Sequence, residues 1–152
     1  MRVLFIDPPG NLKPKEGKPG GGLSIGIATL ASVLIKHGHQ VSLYDMANHY
    51  ENRTIDSIKN SLDLFMPDII GITILNAQYL FAIEIVKKLR EQTDVPIIVG
   101  GAEVTALKEK IFTDMDFAID ISVLGEGEES LLEILEAYKN NSSSTLIDKL
   151  KK

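Results

Sequence analysis

Five short aliphatic runs recur along the chain, each too short for a helix and each ended by residues that stop a strand. Val3-Leu4-Phe5-Ile6 closes on Asp7-Pro8-Pro9-Gly10, and Val41-Ser42-Leu43-Tyr44 closes on Asp45. Asp68-Ile69-Ile70-Gly71-Ile72-Thr73 runs into Ile74-Leu75, Val95-Pro96-Ile97-Ile98-Val99 ends at Gly100-Gly101, and Ile119–Leu124 ends at Gly125-Glu126-Gly127. Nearly continuous apolar character, rather than alternation, means strands buried on both faces. That is the condition of a parallel sheet covered by helices on each side.

Between the runs the apolar period becomes helical. Ser24 is placed to cap a helix carrying Ile27, Leu30, Ala31, Leu34 and Ile35, with Gly38 where a left-handed residue ends it. Thr54 opens a second helix through Ile58, Leu62 and Phe65, stopped at Pro67, and Ala82, Ile85, Val86 and Leu89 mark a third. A fourth is predicted over Thr105–Phe112, and a last one carries Leu131, Leu132, Ile134 and Leu135. The Lys-, Pro- and Gly-rich stretch Asn11–Gly22 reads as a long loop, of which Lys13–Gly22 is expected to order only on binding cofactor or partner. Parallel strands need crossovers, and these are right-handed. The expected fold is therefore α/β, a three-layer α/β/α sandwich with a five-stranded parallel sheet of order 2-1-3-4-5, flavodoxin-like or Rossmann-like. It is expected to span residues 1–138, with 139–152 a polar linker and short tail.

Composition narrows the chemistry. A domain of 152 residues buries enough surface to stand without disulfides or structural metal. With no cysteine, the chain holds no thiolate nucleophile, no Cys-ligated zinc and no iron–sulfur cluster. Sixteen basic against twenty-one acidic residues give a net charge of −5 without long blocks of either sign, so nucleic acid is not an expected partner. The apolar start, Val3 to Ile6, is too short for a secretion signal or a membrane span, and a soluble cytoplasmic protein without a membrane partner is expected.

In open parallel sheets ligands sit beyond the carboxyl ends of the strands, near the point where strand order reverses. Here those ends are Asp7-Pro8-Pro9, Thr73-Ile74-Leu75, Gly100-Gly101 and Gly125-Glu126-Gly127. Gly100-Gly101 either lets a ligand touch main chain or makes a tight turn. Thr73 offers a hydroxyl to a ring nitrogen or phosphate, or is an ordinary strand end. Gly125-Glu126-Gly127 suits an anion or a ribose, while Glu128, Glu129 and Glu133 suit the helix dipole and a solvated face. Asp7 is a candidate for a magnesium ion or a hydroxyl. A receiver-domain reading fails, because Thr73 and Gly125 stand where the phosphoacceptor Asp and its Lys would be. The hydroxyl-rich phosphate loop of flavodoxins and the G-x-G-x-x-G fingerprint are also missing from the first turn. His37 and His39 flank Gly38, where a cation suits the helix dipole, and His49 reads as a surface residue on the ligand edge. No nucleophile, base and orienter fall together, so no catalytic residue and no metal ligand is assigned.

Four stretches taken in order resemble the cobalamin-binding domain found at the N-terminus of cobalamin-dependent radical S-adenosylmethionine enzymes, over about residues 1–136. They are Asp7-Pro8-Pro9; Gly38-His39-Gln40-Val41; Pro67 through Leu75; and Val99-Gly100-Gly101-Ala102-Glu103-Val104-Thr105 with the later Gly125-Glu126-Gly127-Glu128. The resemblance implies that the nucleotide tail of cobalamin is buried beside the sheet and the corrin lies over the strand ends. Thr73 and Leu75 match the family's Ser/Thr-x-Leu motif at the tail pocket, and Gly100 and Gly101 match its Gly-Gly pair, which leaves room for the benzimidazole. Asp7, Pro8, Pro9, Ile74, Ala102, Thr105, Gly125, Glu126 and Gly127 complete the implied cofactor-binding set.

One departure stands out. Cobalamin mutases and methionine synthase carry Asp-x-His-x-x-Gly in the first loop, whose His is the lower cobalt ligand, and residues 8–36 here contain no His. The resemblance then implies a lower face without an imidazole from this loop, shielded only by the stretch from Pro9 to Leu12. It also implies a partner, a radical S-adenosylmethionine barrel whose Cys-x-x-x-Cys-x-x-Cys holds the iron–sulfur cluster and which binds S-adenosylmethionine, joined in a longer enzyme or docking in trans. The leading expectation is a cobalamin carrier without catalysis of its own. The competing readings are a ligand-free Rossmann-like interaction domain and a small nucleotide-type transferase using Asp7, Asp45 or Glu126 as acid or base.

Overall fold

A computed structural model of the chain describes residues 1–10, 24–46 and 55–140. The elements follow as β1 (Arg2–Asp7), α1 (Ile25–Lys36), β2 (Gln40–Asp45), α2 (Ile55–Phe65), β3 (Ile69–Thr73), a single 3₁₀ turn (Asn76–Gln78), α3 (Tyr79–Arg90), β4 (Ile97–Gly100), α4 (Ala102–Leu107), α5 (Lys110–Asp114), β5 (Ile121–Ser122) and α6 (Glu128–Asn140). The five strands form one sheet in the order β2-β1-β3-β4-β5, and every pairing is parallel. The α/β sandwich expected from the apolar runs is the fold. The long loop, the Thr54 cap, His49 and the tail from 141 onward lie outside the described residues.

Alternation along each strand divides the core in two. Leu4 and Ile6, Ile70, Ile72 and Ile74, and Ile97 and Val99 point to one face, where α2 to α5 bring Ile58, Leu62, Ala82, Val86, Leu89, Val104, Ile111 and Met115. Val3, Phe5, Ile69 and Ile98 point to the other, covered by Ile27 and Leu34 of α1 and Leu131 and Leu135 of α6. Two helices thus cover one face and four the other.

Local signals fix the ends of α1. The Ser24 hydroxyl accepts from the Ile27 N–H (3.4 Å), and Gly38 sits at φ +79°, a left-handed position natural to glycine. His37 donates from its ring Nδ1 to the Val33 carbonyl (2.9 Å), which suits the expected role at this helix end. Burial and the nearby Met1 ammonium push the pKa of His39 down, which works against the expected role as a dipole cation.

Three expectations need correction. The single helix over Thr105–Phe112 is two, α4 and α5, broken at Lys108, which takes φ +51° with no glycine or proline to announce the break. The buried stripe Val104, Ile111 and Met115 runs across both, so the pattern read as one helix. The fifth strand has a ladder of only two residues, although the Asp120 and Val123 N–H groups still donate to the Ile97 and Val99 carbonyls (3.0 and 2.8 Å). The fourth begins at Ile97, since Pro96 has no N–H to give, though its carbonyl accepts from Ile70 (2.9 Å).

The amino edge of the sheet is tied by one guanidinium. Arg90 pairs with Asp120 (2.5 Å), donates from Nε to the Ala118 carbonyl (3.0 Å), and its Nη1 reaches the Thr93 and Val95 carbonyls (3.3 and 3.4 Å). Asp120 also accepts from the Ile97 N–H (2.8 Å), so α3, β4 and the approach to β5 share one network. Among the described residues no helix is long and apolar enough to cross a membrane. Arg90→Leu is expected to lower unfolding stability by about 1.5–3 kcal/mol, the range for charge-assisted hydrogen bonds. Urea denaturation measures this, and a loss below about 0.5 kcal/mol, typical of a surface change, would show that the network holds nothing.

Candidate functional site

The face covered by only two helices is also the face where the strands lose their side chains. Toward their carboxyl ends β3 offers Ile69, Gly71 and Thr73 to α1 and α6, and β4 offers Ile98 and Gly100. With no side chain at Gly100, and with the Phe5 ring lying flat over Gly71, the sheet does not fill the space between the helices. A cleft of about 170 Å³ opens there. Phe5, Gly71, Ile98 and Gly100 form its floor, Ile27, Leu30 and Leu131 its walls, and Thr73, Glu126 and Glu128 its polar mouth.

The glycines differ in what they do. A Cβ on Gly71 would stand 2.7 Å from the Phe5 ring, so the ring can lie over β3 only because that position is bare. A Cβ on Gly100 would meet nothing closer than the Val123 carbonyl oxygen at 3.7 Å, an ordinary contact, and a longer side chain would continue into the cleft. Gly101 has φ +109°, and its Cβ would stand 2.7 Å from the Ile74 carbonyl oxygen. Its bare position is therefore required by the fold itself. Of the Gly-Gly pair, Gly100 is the residue whose missing side chain leaves space.

The site residues read from the sequence divide in the same way. Thr73, Gly100, Gly101, Gly125, Glu126 and Gly127 line the cleft. No described residue hydrogen-bonds the Thr73 hydroxyl, which leaves it free for a ligand. Thr105 stands outside and joins two loops, donating to the Gly101 carbonyl (3.1 Å) and accepting from the Gly125 N–H (2.9 Å). Ala102 begins α4 on the surface, and Ile74 is fully buried in the opposite core. Leu75 is half exposed on the carboxyl edge rather than inside the cleft. Asp7, Pro8 and Pro9 are buried where the chain leaves β1.

What holds that exit is Gln78, a residue with no signal in the sequence. Its Nε2 donates to Asp7 Oδ1 (2.7 Å) and to the Pro8 carbonyl (2.6 Å), and its Oε1 accepts from the Leu75 N–H (3.0 Å). One buried amide thus clamps the end of β1 to the end of β3. Burial pushes the Asp7 pKa above its ordinary value of 3.8, the bond from Gln78 partly offsets this, and the facing Asp45 adds to the rise. Asp7 is buried, and its Oδ1 is engaged by Gln78.

Two outcomes follow. A native pKa above the unfolded one means that the folded chain holds the Asp7 proton more tightly, so stability present below 3.8 is lost as pH rises through the native pKa. Relative to wild type, Asp7→Asn should therefore gain stability as pH is raised from 3 to 7, read from denaturant midpoints; a difference that stays flat or shrinks would refute the assignment. Gln78→Leu leaves an N–H, a carbonyl and a carboxylate without their partner and should cost about 1–3 kcal/mol. A neutral result in the same assay would show that water replaces the amide.

Comparison with known proteins gives these residues a context. The family model of the B12 binding domain matches residues 19–135. The chain is 30% identical over 138 residues to the uncharacterized methyltransferase PH0819 of Pyrococcus horikoshii, covering 90% of this chain and 29% of that protein. Among solved structures it is similar to the radical S-adenosylmethionine methyltransferase TsrM of Kitasatospora setae, with a TM-score of 0.76 at 19% identity over 94% of this chain and 26% of that one. Another structure of TsrM holds cobalamin and a [4Fe-4S] cluster. It is also similar to the cobalamin-dependent S-adenosylmethionine radical enzyme OxsB, solved with aqua-cobalamin and S-adenosylmethionine, with a TM-score of 0.73 at 25% identity over 91% and 19%. The chain spans less than a third of the length of each.

Proposed function

This chain belongs to the B12 binding domain family, and from that premise we propose that it holds cobalamin at the carboxyl edge of its sheet and presents it to a radical S-adenosylmethionine catalytic domain, in the same polypeptide or in trans. The observation that carries the reading is the cleft between α1 and α6, open because Gly100 brings no side chain to it. At about 170 Å³ it is smaller than the roughly 300–1,000 Å³ of sites that enclose a whole drug-sized ligand. It suits one flat arm of a larger molecule, the nucleotide tail, with the remainder outside.

In this reading Gly100 admits the base over the floor that Phe5 makes on Gly71, Thr73 donates its hydroxyl to the ring nitrogen at the mouth, and Leu131 and Leu30 close on its faces. The corrin lies over the carboxyl edge, where Leu75 and Leu124 are 50% and 46% exposed and offer apolar surface to a broad ring. Gln78 and Thr105 hold the loops in place without touching the ligand. With no histidine in residues 8–36, the first loop gives cobalt no imidazole. Bound cobalamin supplies a cobalt centre able to carry a methyl group, and the residues of this chain bind and orient it while the partner performs the reaction.

The purified chain incubated with hydroxocobalamin and desalted should keep near one equivalent, with a base-off visible spectrum. Gly100→Leu should lose retention with circular dichroism and melting unchanged, because its side chain fills the cleft without a backbone clash. Gly101→Ala should instead destabilise the fold. No retention by wild type, or equal retention by Gly100→Leu, would overturn the reading.

A further inference from the structure

The cleft is asymmetric in polarity. The side chains that reach its depth are Phe5, Ile27, Leu30, Ile98, Val123 and Leu131, all hydrocarbon. Its polar side chains are confined to the mouth: Thr73 ends β3, Glu126 lies in the exposed turn before α6, and Glu128 opens that helix. The main chain adds little at depth, since the strand N–H and C=O groups beneath are engaged in the ladder. Among the described residues lining the cleft, the Thr73 hydroxyl is thus the sole side-chain donor for a ring nitrogen, and the two carboxylates, when ionised, only accept.

We infer that the cleft is a selectivity filter for the lower base of the corrinoid, taking cobamides whose base is a benzimidazole or a phenol and rejecting those whose base is a purine. This rests on the proposed binding of cobalamin and goes beyond it by naming which cobamides the chain accepts. Dimethylbenzimidazole presents one free ring nitrogen, which Thr73 can satisfy, and hydrocarbon elsewhere. A phenolic base presents hydrocarbon alone. Adenine carries several ring acceptors and an amine around its perimeter, and its entry would strip water from groups that nothing at depth replaces. One buried polar group left unpaired costs roughly five- to hundredfold in binding, and adenine brings several. The preference is therefore set by apolar contact with α1 and α6 and enforced by the hydrocarbon side chains that the described residues bring to the depth of the cleft.

The test is equilibrium dialysis of the chain against four corrinoids in the aquo form: cobalamin, the adenine-based cobamide, the para-cresol-based cobamide, and cobinamide, which has no nucleotide tail. Cobalamin and the cresol cobamide should bind at least tenfold more tightly than the adenine cobamide, and cobinamide should be weaker than cobalamin. The cresol base cannot ligate cobalt and adenine ligates it less strongly than benzimidazole does, so a preference for cobalamin over the adenine form is not a cost of detaching the base. Leu30→Gln, which brings an amide into the wall, should narrow the cobalamin-to-adenine ratio at least threefold. Adenine binding within threefold of cobalamin would overturn the filter while leaving corrinoid binding intact. Cobinamide binding as tightly as cobalamin would place the tail outside the cleft and overturn it equally. Failure of all four to bind would instead overturn the cobalamin reading beneath it.

Discussion

The main chain of Ile74 is gripped from two sides: its N–H donates to the Gly100 carbonyl (2.8 Å), and its carbonyl accepts from the Glu103 N–H (3.2 Å). The exit of β4 is thereby folded tightly against the exit of β3, and Gly101, which makes the turn, has no space for a side chain beside that carbonyl. Everything at the carboxyl edge inherits this geometry. α4 starts at once after the turn, Thr105 reaches back to Gly101 and across to Gly125, and the loop entering α6 is positioned over the cleft. Gln78 extends the same frame to the exit of β1.

The cleft and the charge network lie at opposite edges of the sheet. At the amino edge, Arg90 and Asp120 gather α3, β4 and the approach to β5 into a charge-assisted network remote from the cleft. At the carboxyl edge, glycine replaces bulk at Gly100, where an aliphatic side chain would have added buried area. A strand normally gains from packing on both faces, so bare positions in the middle of a sheet are a stability cost borne at one place and offset by the opposite core, where four helices cover the same strands. This arrangement leaves an apolar-floored slot in an otherwise filled sandwich.

Much of this was legible in the residues. Apolar runs that do not alternate require a doubly covered parallel sheet, and the stops after them mark the carboxyl edge on which Thr73, Gly100 and Gly125 to Gly127 fall. Less accessible were features that depend on contacts distant in sequence. Gly71 lies inside an apolar run and reads as an ordinary strand residue until the Phe5 ring is found over it. Gln78 lies 71 residues from Asp7, and a lone glutamine in a turn carries no local pattern. The roles of Gly100 and Gly101 separate only when the neighbouring Ile74 carbonyl is in view. The break at Lys108 escaped because the apolar period runs on through it while one residue takes a left-handed conformation.

The measurement that bears most directly on the tail-in-cleft arrangement is nuclear Overhauser spectroscopy of the chain, methyl-labelled at Ile, Leu and Val, with bound cobalamin in a diamagnetic cobalt(III) form. Cross-peaks from the benzimidazole protons to the methyls of Val123, Leu131, Leu30 and Ile98 are required if the base enters between α1 and α6. Cross-peaks to Val104 or Ile111 on the opposite face, or none to any core methyl from a retained cobalamin, would contradict it.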